Sequence, residues 1–244
     1  MPAPWFTRRC AQLVDLNENE KSALKFLVGT PQKLKRGGTL RHEGIPSAKI
    51  YTLKSGWVTS SISLPDGVRQ IARVFFPGDL MGIATIGLAE APDTLQATTD
   101  VEFSNFERTA LKPIFADHPR LAALFFLISQ QERIGFLDRL VSIARTSAQA
   151  RVCAMILRFR DRLRAYDPSV TCQIPMYLTQ LDIADMLGMT PVHVNRMFRR
   201  LTDSGLISRG HHWLRIEDEE ALIHLAQMPK RVYDDGREWL PDPR

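Results

Sequence analysis

Apolar residues between Leu178 and Leu201 recur at helical spacing in two short segments that a glycine separates. Gly188 stands where a tight turn between two helices needs a positive φ, which glycine adopts without a Cβ clash. Ala184 lies where two touching helices leave room for a small side chain. The spacing predicts a helix-turn-helix over 180–199, and its core positions are Ala184, Gly188, Val194 and Met197.

Both helices of this motif have start signals in the sequence. Thr179 is a candidate N-cap of the first helix, and Asp182 follows at the spacing of a capping box. Thr190 is a candidate N-cap of the second helix, and Pro191 occupies its first turn, where a missing N–H is harmless. We therefore expect both helices to begin at these residues.

The polar face of the second helix favours DNA binding over the alternative, an ordinary αα-hairpin in a core. No acidic residue occurs between Thr190 and Thr202, although a solvated face normally mixes acids with bases. Arginine matches the O6 and N7 atoms of guanine, and asparagine pairs with adenine. The residues predicted to contact bases are Val192, Asn195, Arg196 and Arg199. Those predicted to contact phosphates are Thr179, Gln180, Thr190, His193, Arg200, Arg209 and His211.

Two short apolar runs follow the second helix and flank a polar turn that contains glycine. They span 206–208 and 213–216, and the turn spans 209–212. This pattern predicts a β-hairpin, and a hairpin directly behind a recognition helix is a wing. The adjacent His211 and His212 have no cysteine or carboxylate set at metal-ligand spacing beside them, so no metal site is predicted.

The residue pattern changes between Leu34 and Phe106, where short β-prone runs alternate with glycines about ten residues apart. Residues 65–67, Pro-Asp-Gly, form a hairpin turn between two such runs. This segment predicts a small antiparallel β-roll or jelly roll. A short helix is predicted before it, from Leu16 to Leu27, with Asn17 and Glu20 at capping-box spacing.

A long helical pattern runs from Pro119 to about Ala144, with apolar residues seven apart. It predicts a coiled-coil dimer interface made by Leu127, Gln130, Ile134, Leu137 and Val141. A second stripe of Leu124, Ile128 and Leu140 is expected to lie against the β-roll; the alternative makes both stripes intramolecular core. Ser147 is a candidate cap for the next helix, 148–164. The predicted domains are a sensor (1–118), a dimerisation helix and hinge (119–145), and a winged helix-turn-helix with a tail (146–244).

Charge and composition agree with this organisation. The net charge is +5, but eleven arginines and five aspartates between Arg145 and Arg215 give that segment +6, which leaves about −1 for the rest. Such a concentration suits phosphate contacts. No run of eighteen apolar residues and no signal-peptide core occurs, so we expect a cytoplasmic protein without a membrane partner. Three widely spaced cysteines predict no disulfide framework.

The order of roll, long helix and winged helix-turn-helix resembles the CRP/FNR family, the cyclic-AMP receptor protein and fumarate-nitrate regulator group of bacterial transcription factors. The most specific part of the resemblance is 178–196, and the glycine pattern of 64–67 and 76–80 supports it. It implies an α+β fold and a homodimer on a near-palindromic promoter, with double-stranded DNA and RNA polymerase as partners. Arg196 matches the family's base-contacting arginine, whereas Val192 replaces a common glutamate and offers apolar contact alone.

The sensor half departs from the cyclic-nucleotide-binding members of this family. Their cassette holds the ribose with a Gly-Glu pair and the cyclic phosphate with an Arg-Ser pair about ten residues later. Here Ile83 follows Gly82, residues 88–94 contain no arginine, and no basic residue occurs between Arg73 and Arg108. Because a buried phosphate without a cation is costly, the sequence predicts that cyclic AMP is not bound.

Other sensor chemistries of the family find little support. Cys10 is the sole cysteine before the DNA-binding half, which excludes a four-cysteine iron–sulfur cluster. The alternative function is a sensor of haem or another small molecule whose main output is not DNA binding; its haem form has His42 and His118 as the available sensor-half ligands. No catalytic motif is present, so we predict a non-enzymatic protein with no cofactor and an effector that the sequence does not identify.

Overall fold

The computed structural model describes residues 5–232 and 238–242. The chain divides into two compact units. The first comprises Met1–Ile62, Ala72–Glu132 and Val232–Arg244, and the second comprises Ser63–Ile71 and Arg133–Arg231. Among the described residues, no helix is both long enough and apolar enough to cross a bilayer.

The predicted β-roll is present as two four-stranded sheets. Its strands are β1 (Gln32–Leu34), β2 (Thr39–Arg41), β3 (Lys49–Ser55), β4 (Val58–Ser63), β5 (Arg69–Phe75), β6 (Leu80–Met81), β7 (Thr94–Ala97) and β8 (Val101–Glu107). The sheet orders are β1-β8-β3-β6 and β2-β7-β4-β5. The turn predicted at 65–67 has Gly67 at φ 84°, and the Leu64 carbonyl accepts a 2.9 Å hydrogen bond from its N–H.

Apolar side chains from both sheets fill the roll. Buried members of this cluster include Leu53, Val58, Met81, Leu95 and Phe103. They come from five different strands, so their burial fixes the register of both sheets at once. The roll therefore has a hydrophobic core of its own in the first unit.

Helices of the first unit form a second apolar cluster. They are α1 (Trp5–Ala11), α2 (Glu18–Leu27) and α3 (Leu111–Asp117), joined by the start of α4 (Pro119–Arg145). The predicted capping box of α2 is confirmed, since Asn17 Oδ1 accepts from Glu20 N at 2.8 Å and Glu20 Oε2 accepts from Asn17 N at 2.9 Å. Helices α1 and α3 are too short for the sequence pattern to have predicted them.

The second unit contains the predicted winged helix-turn-helix. Its elements are α5 (Ala148–Tyr166), β9 (Gln173–Pro175), α6 (Gln180–Leu187), α7 (Pro191–Asp203), β10 (Ile207–Gly210), β11 (Trp213–Ile216) and α8 (Glu219–Ala226). Ser147 caps α5 as predicted, its hydroxyl accepting from Ala150 N at 3.1 Å. Strand β9 pairs with β11 and makes the wing a three-stranded sheet, which the sequence did not predict.

Candidate nucleic-acid interface

The two helices of the helix-turn-helix begin where the sequence predicts. Thr179 Oγ1 accepts from Asp182 N at 3.1 Å, and Asp182 Oδ2 accepts from Thr179 N at 3.0 Å, which completes the capping box of α6. Thr190 Oγ1 accepts from His193 N at 3.2 Å at the start of α7. Gly188 between the helices has φ 64°, the conformation that the sequence requires there.

The inner faces of α6 and α7 are buried. Ala184, Val194 and Met197, three of the predicted core positions, are buried, while Gly188 forms the exposed turn. Phe198 and Leu201 extend the buried stripe along α7. Because this stripe fixes the rotation of α7 about its axis, the opposite face is directed away from the core.

That opposite face presents the four residues predicted to contact bases. Val192 is 80% exposed, and Asn195, Arg196 and Arg199 are exposed as well. Arg199 lies 3.7 Å from Asp203 one turn later, in a pair too exposed to hold it firmly. Within the described part of the chain, Arg196 has no acidic partner, and neither does Arg200. The face therefore presents guanidinium groups free to meet an anionic surface.

The wing contributes further cationic surface beside this helix. Strands β10 and β11 pair antiparallel, and their turn consists of His211 and His212. Arg209 Nη2 donates to Asn195 Oδ1 at 3.3 Å, and its guanidinium carbon lies 5.1 Å from the Phe198 ring centre. The wing arginine is thus held against α7, which brings predicted phosphate and base contacts onto one surface.

The remaining predicted phosphate contacts lie around the same two helix starts. Thr179, Gln180 and Thr190 are exposed, and His193 is partly exposed. Thr179 and Thr190 also cap helices, so their backbone N–H groups and hydroxyls lie at the positive ends of α6 and α7. His211 is exposed at the tip of the wing.

Sequence reasoning missed one arginine of this unit. Arg69 Nη2 lies 2.7 Å from Asp182 Oδ1, and Arg69 Nε lies 2.8 Å from Asp185 Oδ2. Burial alone raises the pKa of Asp182, but hydrogen bonds from Thr179 and Arg69 outweigh it and leave that pKa below its ordinary value. Arg69 therefore neutralises the acidic side of α6. The separation of 113 residues along the chain gave no local signal for this pair.

Helix α4 presents an exposed apolar stripe. Its members are Phe126, Phe136, Leu137, Leu140 and Val141. Two of them belong to the predicted dimer interface, whose other positions Gln130 and Ile134 are partly exposed. Leu127 instead packs partly against the apolar helix cluster of its own chain. The expectation for Leu140 was wrong: it is 64% exposed, whereas Leu124 is buried and Ile128 partly buried as expected.

The interior of the roll corrects the expectation that it holds no cation. Arg41, from β2, is buried there and forms an ion pair with Asp93. A Cβ built on Gly82 would lie 2.8 Å from Arg41 Nη1, so this side chain abuts the glycine that the resemblance assigns to the ribose. The sequence did not reveal the cation because it comes from 41 residues before that glycine.

The two histidines of the sensor half lie at the end of a strand and at the end of a helix. His42 directly follows β2 and is exposed. His118 follows α3 as its C-cap, with its N–H bonded to the Ile114 carbonyl. Cys10 lies in the apolar helix cluster, where burial raises the pKa of its thiol to about 12, and burial raises that of Cys153 in α5 to about 11. Neither thiol is therefore a reactive thiolate near neutral pH.

Comparisons with known proteins agree with both halves of this architecture. Residues 31–118 match the cyclic nucleotide-binding domain family, and residues 150–225 match the Crp-like helix-turn-helix domain family. The fumarate and nitrate reduction regulatory protein of Escherichia coli K12 is 25% identical over 219 residues, which cover 89% of this chain and 86% of that protein.

Solved structures show the same fold at low sequence identity. FixK2 from Bradyrhizobium japonicum superposes with a TM-score of 0.74 at 23% identity, covering 82% of this chain and 98% of that one. A CooA mutant from Carboxydothermus hydrogenoformans superposes with a TM-score of 0.68 at 16% identity, covering 88% and 98%.

Proposed function

The chain belongs to the CRP/FNR family of transcription regulators and carries a helix-turn-helix DNA-binding domain, and on that basis we propose that it binds a near-palindromic DNA site as a homodimer. The observation that carries the proposal is the exposed polar face of α7, which has arginines and no acid before Asp203. The major groove admits an α-helix, and guanine presents there the O6 and N7 acceptors that arginine recognises.

Several of the predicted contacts have specific roles in this proposal. Arg196 donates to guanine O6 and N7, and Val192 packs against a thymine methyl group. Arg200 and Arg209 contact phosphates on either side of the groove, and the backbone N–H groups at the starts of α6 and α7 add further phosphate contacts. Asn195 accepts a hydrogen bond from Arg209, and its proposed role is to contact an adenine.

A homodimer is supported by the apolar stripe of α4. Five large apolar side chains lie exposed along one helix, and an isolated chain would leave them in water. Pairing two copies of α4 buries them. A symmetric dimer also places two recognition helices about 34 Å apart, the separation of successive major grooves on one face of DNA.

The roll is proposed not to bind cyclic AMP. Arg41 abuts Gly82 where the ribose would lie, Ile83 offers no carboxylate to the ribose hydroxyls, and Asp93 stands where a cyclic phosphate would need a cation. While Asp93 stays paired with Arg41, a cyclic phosphate placed beside it would meet a like charge in a buried site, which is unfavourable.

Selection from a random pool of duplex DNA tests the proposal. The intact chain should enrich an inverted repeat whose half-sites lie one helical turn apart, about 10–10.5 base pairs. A parallel selection with cyclic AMP should enrich the same sequences at the same yield. Failure to enrich any sequence would contradict site-specific binding, an unpaired half-site would contradict the dimer, and a nucleotide-dependent yield would contradict the account of the roll.

A further inference from the structure

Arg41 is a buried cation whose partner satisfies it incompletely. Its side chain is 4% exposed, and Nη2 pairs with Asp93 Oδ1. The other oxygen of Asp93 accepts a hydrogen bond from the Ser60 hydroxyl. Arg41 Nε and Nη1 are buried and have no hydrogen-bond partner in the described part of the chain. A guanidinium is a fork of donors, so two of its three nitrogens lack an acceptor here.

The backbone approaches this guanidinium closely at Gly82. Nη1 faces Gly82, where an added Cβ would lie 2.8 Å away from it and 3.1 Å from the Lys49 carbonyl oxygen. Gly82 also has φ 88°, so a side chain is disfavoured there on two independent grounds. The roll thus has a glycine at a point where the backbone approaches the cation.

Unsatisfied buried donors on a charged group are rare because desolvation without a new hydrogen bond is unfavourable. A structural ion pair between Arg41 and Asp93 would be more stable if the carboxylate bridged two nitrogens. Asp93 engages one nitrogen and leaves the rest. The arrangement is therefore better suited to an arginine that exchanges acceptors than to one that stays paired with Asp93.

We propose that Arg41 anchors a binding site for a small oxyanion, a carboxylate or a phosphate group, which displaces Asp93. An incoming oxyanion has two oxygens to offer and engages two nitrogens of the fork, where Asp93 engages one. Asp93 directly precedes β7 and ends a segment whose residues 88–90 are exposed, so its carboxylate has a short path to water. A carboxylate or a singly charged phosphate replaces one negative charge with another, so the site then stays neutral.

This inference goes beyond the proposed function and does not depend on it. The ligand class follows from a cation and unused donors in the first unit alone, and a loss of DNA binding would leave the argument unchanged. The absence of cyclic AMP binding is compatible with it, because a small oxyanion needs neither the ribose contacts nor room for a base. Asp93 thus competes with the oxyanion for the guanidinium of Arg41.

The direct test follows the Nε–H resonance of Arg41 by ¹⁵N NMR in the intact chain, which separates this site from phosphate binding to the recognition helix. The resonance is assigned by its loss in the double variant Arg41→Gln/Asp93→Asn, which removes both buried charges and so leaves neither unpaired. Sodium acetate and inorganic phosphate are titrated separately against sodium chloride at constant ionic strength. We expect a saturable shift with at least one of the two oxyanions and none with chloride.

The single variant Asp93→Asn gives the sharper outcome. It weakens the competitor while keeping the side-chain shape, so the midpoint of the titration should fall about tenfold or more. A response to acetate alone would identify a carboxylate site, a response to phosphate alone a phosphate site, and both would support the shared chemistry. No saturable shift with either anion would overturn the proposal, and so would a midpoint that Asp93→Asn leaves unchanged or raises.

Discussion

Arginines in the recognition helix and in the β-roll are the same residue type in opposite circumstances. Arg196 on α7 is exposed and has no acidic partner among the described residues, whereas Arg41 is buried beside Asp93. Arg196 is hydrated, so a macromolecule can contact its charge without displacing a partner from the same chain. Arg41 is already neutralised, so an anion reaches it by exchange. Partner and burial, more than residue type, decide what each arginine is able to bind.

The two regions also differ in how far apart along the chain their interacting residues lie. The capping contacts that start α6 and α7 join residues three apart, Thr179 with Asp182 and Thr190 with His193. The pair of Arg41 and Asp93 joins residues 52 apart, and it exists because β2 and β7 are neighbours in one sheet. The starts of the two helices are thus built from short-range structure, while the roll interior depends on the whole sheet.

The largest effect is expected from breaking the proposed dimer, on which binding to two half-sites would depend. In Leu137→Glu, a charge lies on the apolar stripe of α4 and would be buried against its symmetry mate, which costs several kcal/mol, about 3–5, on the general scale for unpaired buried charge. The variant should be monomeric by light scattering, and its DNA affinity should fall about 100-fold or more as the second module's effective concentration is lost.

Leu88→Glu is the matched control for that variant, since it makes the same substitution at a leucine outside α4 that is 48% exposed, as Leu137 is. It should remain dimeric and bind DNA as the parent does. The dimer account fails if Leu137→Glu is monomeric and still binds at parental affinity, because two half-sites would then not be read together.

A smaller effect is expected from removing a phosphate contact. Arg200→Ala should weaken binding to all sequences about equally and lower the slope of log affinity against log salt by about one, the value for one lost phosphate contact. Arg36→Ala removes an equally exposed arginine from the roll and serves as the control. Binding titrations at four salt concentrations check this. Equal slope changes in both variants would mean that net charge, not position on α7, governs the interaction.

The smallest effect concerns Arg69, which neutralises the acidic side of α6. Arg69→Ala should lower the free energy of unfolding by about 1 kcal/mol, since the pairs are partly exposed, and Arg69→Lys should lose less because it keeps the charge without the fork. The pKa of Asp182 is lowered in the folded chain, so this stabilisation is present above its unfolded pKa and is lost as the pH falls through the folded value. Melting curves near pH 7 and under acidic conditions measure both. An alanine variant as stable as the parent at pH 7 would rule the contribution out.

The sequence predicted the helix-turn-helix nearly residue by residue because its determinants are local. The caps at Thr179 and Thr190 and the turn at Gly188 all depend on backbone geometry within a few residues. The β-roll was predicted as a class from its spaced glycines, without its pairing order. Three-residue strands such as β9 have too few positions for a period to appear.

The predictions that failed depended on what lies far away along the chain. Arg41 went unnoticed because a search of the cassette segment cannot reveal a cation that another strand supplies. Leu140 was expected against the roll from its position in a second apolar stripe of the helix, yet spacing gives the face of a helix and not what covers that face. The same reasoning explains why Arg69 was missed.

The central claim is that Arg196 on the exposed face of α7 reads a base. Arg196→Ala is titrated on the selected site and on the same site substituted in turn at each position, beside the parent and Arg200→Ala. We predict a loss of roughly 1–3 kcal/mol on the preferred site and a loss of preference at a single base position, while Arg200→Ala keeps the parental preferences. An Arg196→Ala chain with unchanged affinity and unchanged preference at every position would contradict the account.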